Sequence, residues 1–142
     1  MRNGFGGRFV LTTAAMVVAA GAWMLLASVP AIAHHSFAAE FDATKPIKLT
    51  GTVTKIEWMN PHAYFYIDVK DESGKVTNWG MEMGSPNGLM RQGWSRNSMK
   101  IGDEVTVEGS RAKDGSNIGN ARSVMLTGGQ RLFAGSSQTT TP

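Results

Sequence analysis

The chain has no cysteine anywhere in its 142 residues. That absence excludes disulfides and any thiolate site, so in an oxidising compartment the fold stands on packing alone. A phosphate loop, a dinucleotide-binding fingerprint and internal repeats are also missing. Residues 114–117 hold too few oxygen ligands for a calcium loop. Strong charge of either sign is lacking too. Lys and Arg number 14 against 11 Asp and Glu, and setting aside Arg2 and Arg8 leaves 12 against 11. Near neutrality removes the electrostatic footprint that a nucleic-acid binder needs, and no nucleic-acid partner is expected.

Arg2 and Arg8 are set aside because of what surrounds them. They form a basic start without nearby acid, followed by a long apolar run from Phe9 to about Val29. The run closes on Pro30-Ala31-Ile32-Ala33, with small residues at the two positions a signal peptidase reads. Thr12, Thr13, Gly21 and Ser28 dilute the apolar stretch, and no basic stop-transfer cluster follows. Residues 1–33 are therefore expected to be a signal peptide, cleaved after Ala33. The protein would then be periplasmic or secreted. Left uncleaved, the same segment would be a membrane anchor with the functional part still extracytoplasmic.

The remaining 109 residues suit one domain with a single modest core. Residues 34–45 read as an N-terminal arm with Phe37 and Phe41 as anchors. From residue 46 the apolar positions alternate, then change parity between Val53 and Ile56, beside Gly51. That switch is the mark of a bulged, bent strand. Residues 62–70 and 75–83 alternate on either side of the turn at residues 71–74. Ser85 and Pro86 open a short helix. A fourth strand follows the turn at residues 101–103, and a fifth covers residues 118–126. Residues 128–142, rich in Gly, Ser and Thr, read as a flexible tail. The expected class is all-β: a five-stranded OB-like barrel over residues 46–127, with one short helix between strands three and four. A small sandwich, or an open sheet packed on a helix, is the alternative.

Three segments carry a resemblance: His34-His35-Ser36-Phe37, Leu49-Thr50-Gly51-Thr52-Val53 and Asn60-Pro61-His62. Together they resemble a family of small exported bacterial proteins known as domain of unknown function 6152. The resemblance implies export and a small β-rich domain, and it brings no activity with it.

The three histidines of the chain are His34, His35 and His62. Cleavage after Ala33 would make His34 the first residue, offering its amine and its imidazole Nδ1 as a chelating pair. His62 would add a third nitrogen, and His35 could serve in place of His34. Nitrogen-rich sets suit Cu(II), with zinc behind it. Hairpin parity puts His62 and Glu82 on one face, so Glu82 could orient the imidazole or supply an oxygen. Asn60 is close enough in sequence to reach the same group. Incidental histidines, a mobile pair at the terminus and one at a strand start, are the plainer alternative. Met81 and Met83 share a face with Trp79 and read as core filler, whereas Met59 adjoins the Asn-Pro-His motif.

A second reading belongs to another class. OB-folds bind oligosaccharides and oligonucleotides on strands two and three. Here that face carries Tyr64, Tyr66 and Asn78, with Asn60 at its end, and a glycan or other small ligand is the candidate. No enzyme constellation is present beyond the remote option of a copper oxidative activity, so the expectation is a binding protein. Intact-mass analysis of protein exported from cells should give a chain starting at His34; a mass retaining residues 1–33 would make the segment an anchor.

Overall fold

The computed structural model describes residues 37–135. The expected signal segment, His34, His35 and the chain beyond residue 135 lie outside the described residues. The elements in chain order are α1 (Phe37–Glu40), β1 (Phe41–Glu57), β2 (Tyr64–Lys70), β3 (Val76–Glu82), α2 (Pro86–Arg91), β4 (Glu104–Ala112), β5 (Ile118–Met125) and β6 (Arg131–Phe133).

β1 is long because it serves two partners in turn. Residues 41–52 pair with β4, and residues 52–57 pair with β2. The change of partner needs a bend, and the β1–β2 register shifts between Val53 and Lys55, where the apolar parity changes. Gly51 permits the close approach: a Cβ there would lie 2.5 Å from the carbonyl oxygen of Asp68. The β2–β3 hairpin closes on Asp71, whose Oδ1 accepts from the amides of Ser73 and Lys75 at 2.9 and 3.0 Å. β3 then pairs in parallel with β5, and β5 pairs antiparallel with β4. The pairings thus run β1-β2-β3-β5-β4 and return to β1, the order of an OB-like barrel.

Inward positions of these strands make the core. Val53, Phe65, Ile67, Met81, Met83, Val105, Val107 and Val124 are buried there with Leu89 of α2. α2 forms as its residues dictate. The Ser85 Oγ accepts from the Gly88 amide at 3.2 Å, and Pro86 occupies the first turn. Its one buried residue, Leu89, packs into the core.

Two boundaries differ from the sequence expectation. The first strand begins at Phe41 rather than at Pro46, and Phe41, 3% exposed, stacks on Phe37 with ring centroids 5.7 Å apart. The supposed flexible tail contains β6, which pairs with β5. The Ala134 amide donates to Arg122, the Gly84 amide donates to Ala134, and the Trp94 indole donates to the Phe133 carbonyl at 2.8 Å. β6 is only three residues long and forms a hairpin with β5 across the turn at residues 126–130, and a Gly- and Ser-rich composition around it masks so short an alternation. Leu132 is 8% exposed within it. Leu132→Ala should therefore lower the unfolding free energy by about 2–3 kcal/mol in urea titrations. A change within about 0.5 kcal/mol, normal for a surface site, would mean that the segment does not pack in solution.

Candidate functional site

Strand alternation puts Tyr64 and Glu82 on the face opposite the core, directly across from one another in the β2–β3 register. Glu82 also faces Asn120 across the parallel β3–β5 pairing. One carboxylate therefore has a strand on each side, and it is only 5% exposed. The chain just before β2 continues the hairpin, since the Ala63 amide donates to Gly84 and the Met83 amide donates to Ala63. This carries His62 back over the same carboxylate.

Three donors converge on Glu82. The Tyr64 hydroxyl donates to Oε2 at 2.6 Å. His62 Nδ1 lies 2.8 Å from Oε1, and the Asn120 amide donates to Oε1 at 3.2 Å. A buried carboxylate demands such partners, because removing it from water otherwise costs several kcal/mol. Both oxygens are occupied. A nitrogen facing a carboxylate oxygen carries a proton, so in its uncharged form His62 presents Nε2 as the lone-pair nitrogen. The imidazole side chain is 21% exposed, and among the described residues Nε2 has no partner.

The start of the described chain is fastened beside this cluster. Phe41 pairs with Ala112, the Lys113 amide donates to the Glu40 carbonyl, and Lys113 Nζ donates to the Ala38 carbonyl at 2.6 Å. Burial first, then the hydrogen bond and charge of Glu82, then the charge of Glu40, push the Tyr64 phenol far above its ordinary range. α1 and its Glu40 thus lie within electrostatic range of the His62–Glu82–Tyr64 group.

The rest of the strand 2–3 face is bonded within the sheet. The Tyr66 hydroxyl donates to Glu57 at 3.0 Å, and Lys55 Nζ sits 2.6 Å from Glu57 and 5.1 Å from the Tyr66 ring centroid. Beneath the ring is Gly80, where a Cβ would come within 3.1 Å of Tyr66 Cε1. Asn78 donates to Asp68 at 2.7 Å and to Thr54 at 3.2 Å. Asn60, joined to Pro61 by a cis peptide bond, is exposed and takes no part in the Glu82 cluster. Met59 is exposed next to it, while Met81 and Met83 are core. Trp94 is buried, and Arg96 lies over Trp58, 5.9 Å from its ring centroid.

Of the candidates named from sequence, His62, Glu82 and Tyr64 are brought together. Tyr66 and Asn78 occupy the same sheet face with separate partners. Asn120 was missed, because a parallel pairing between strands three and five leaves no local signal. Among the described residues no group of three His, Cys, Asp or Glu is arranged to hold a metal ion, and no helix is long and apolar enough to cross a membrane.

These features define a small all-β domain of OB-like order with a histidine–carboxylate–tyrosine cluster on its outer face. The chain belongs to the family of unknown function DUF6152, which matches residues 21–121. No curated protein matches it. Among solved structures it is similar to the dimeric N-terminal domain of the PriB protein from Thermoanaerobacter tencongensis. The TM-score is 0.42 at 17% identity, covering 59% of this chain and 97% of that one.

The chain has two tyrosines, Tyr64 and Tyr66, and both phenols are raised in the fold, Tyr66 by burial and then by Glu57. An ultraviolet titration should show neither ionising at the ordinary value of about 10 until denaturant is added. The unfolded chain then binds fewer protons than the native one above that value. The stabilisation is accordingly complete below it and lost as pH rises through the native pKa values. Ordinary titration in the folded protein would dissolve both hydrogen bonds to carboxylate.

Proposed function

We propose that this is an exported protein, periplasmic or secreted, that binds a metal ion, copper ahead of zinc. The ligands are the amine and imidazole of His34 at the processed terminus together with His62, and His35 is the alternative terminal histidine. The observation that carries the reading is the 2.8 Å contact between His62 Nδ1 and the buried Glu82 carboxylate. A carboxylate behind an imidazole fixes its orientation and raises the basicity of the other nitrogen, which is how metal-binding histidines are commonly supported. A negative charge held nearby also favours a cation over a neutral ligand.

The position of the arm supports the same reading. Phe37, where the described chain starts, lies three residues after His34, and extended chain covers about 3.3 Å per residue. That gives the terminal amine roughly 10 Å of reach from a segment already fastened near Tyr64. No nucleophile–base–oxyanion arrangement surrounds His62 among the described residues, so storage, sensing or transfer fits better than catalysis. The alternative, a glycan or other small ligand on the Tyr64–Tyr66 face, would rest on the rings, since both hydroxyls are bonded within the sheet.

The test is a Cu(II) titration followed by electron paramagnetic resonance, on protein exported and processed in cells. A single stoichiometric signal with nitrogen coupling is expected, lost in His34→Ala, in His62→Ala and in protein carrying an N-terminal extension. Loosely bound copper alone, unchanged by these alterations, would end the proposal.

A further inference from the structure

Glu82 is shared, and the sharing has a chemical consequence. Its negative charge is delocalised over two oxygens, so a strong donor at one lowers the acceptor strength of the other. Oε2 receives the Tyr64 phenol at 2.6 Å, a short distance that marks a charge-assisted bond. Oε1 receives His62 at 2.8 Å and Asn120 at 3.2 Å. Neither hydroxyl nor imidazole can turn to water without giving up this bond, since the carboxylate they meet is enclosed between β2, β3 and β5.

We propose that Tyr64 is a positioning residue that tunes His62 through Glu82, competing with the imidazole for one carboxylate and so weakening the hold of Nε2 on its ion. The inference rests on the reading of His62 as a metal ligand. It assigns Tyr64 a part different from ligand stacking. An imidazole whose Nδ1–H is strongly drawn toward a carboxylate is a better donor at Nε2. Whatever draws charge away from Oε1 makes it a poorer one. The phenol donates to Oε2 at 2.6 Å while the imidazole holds Oε1 at 2.8 Å, so the two donors divide one carboxylate between them.

The opposite expectation follows for two substitutions that a structural role would treat alike. Tyr64→Phe frees Oε2 and should tighten copper binding by a few-fold in competition with a chelator. Glu82→Gln removes the charge and should weaken it by about 10-fold or more. Nitrogen-15 labelling of histidine in the metal-free protein gives a readout independent of copper. His62 should be the Nδ1–H tautomer, and its Nδ1 proton should move downfield in Tyr64→Phe as the bond to Oε1 strengthens.

An unmoved proton resonance in Tyr64→Phe, or an Nε2–H tautomer in the unmodified protein, overturns the inference. So does weaker copper binding in Tyr64→Phe, the direction that simple loss of packing would give. If Glu82→Gln does not fold, Tyr64→Phe decides alone, because tightening has no structural explanation. A downfield shift in protein that holds no copper would sustain the competition for Glu82 while ending the metal-binding reading beneath it.

Discussion

A carboxylate stripped of water must find its hydrogen-bond donors within the protein, and Glu82 finds three on segments that are distant in sequence. Tyr64 comes from β2, Asn120 from β5, and His62 from the approach to β2. Removing one member of a buried charged pair commonly costs about 3–5 kcal/mol, comparable with much of a small domain's net stability. The group therefore does two things at once. It ties β3 to both of its neighbours on the face opposite the core, and it fixes which nitrogen His62 presents. Structure and site share one constraint, so a change at Glu82 is felt in both.

That constraint depends on the ring of strand pairings. β3 meets β5 in parallel over Gly80, Met81 and Glu82, and no short connection joins these strands. Between them lie α2 and the whole of β4. The bent β1 makes the ring possible by pairing with β4 along one stretch and with β2 along the next. β6 adds to the same architecture from the C-terminal side, where Ala134 bonds to Gly84 beyond the end of β3. The described parts of the segments that composition would class as an arm and a tail, residues 37–45 and 128–135, belong to the packed unit. Phe41 and Leu132 are buried in it.

The electrostatics of the outer face separate two kinds of polar group. Around Tyr66, the Lys55–Glu57 pair is open to solvent, and exposed pairs of this sort contribute little to stability. Around Tyr64, the acceptor is buried and three donors meet on it. The contrast explains why two tyrosines, two residues apart on one strand, have different parts. One covers a glycine on an ordinary strand surface. The other belongs to a cluster built on a buried carboxylate, beside the partly exposed imidazole of His62.

Much of this was legible in the chain itself. The parity switch after Val53 marked the bulge, Ser85 and Pro86 marked α2, and alternation placed Met81 and Met83 in the core and His62 beside Glu82. These are local signals, carried by periods of 2 and 3.6 residues and by capping chemistry, which depend only on near neighbours. The role of Asn120 could not be found that way, because it depends on a contact with a residue far away along the chain, and β6 was missed because three residues are too few to show a period. The number of donors on Glu82 was equally hidden, since burial of a strand's outer face depends on what lies across it. The sequence alone determined an all-β, OB-like order and put His62 and Glu82 on one face. Only the tertiary structure decided that the carboxylate is enclosed, that Tyr64 and Asn120 share it, and that His62 is left with Nε2, because enclosure is a property of the assembled strands rather than of any one of them.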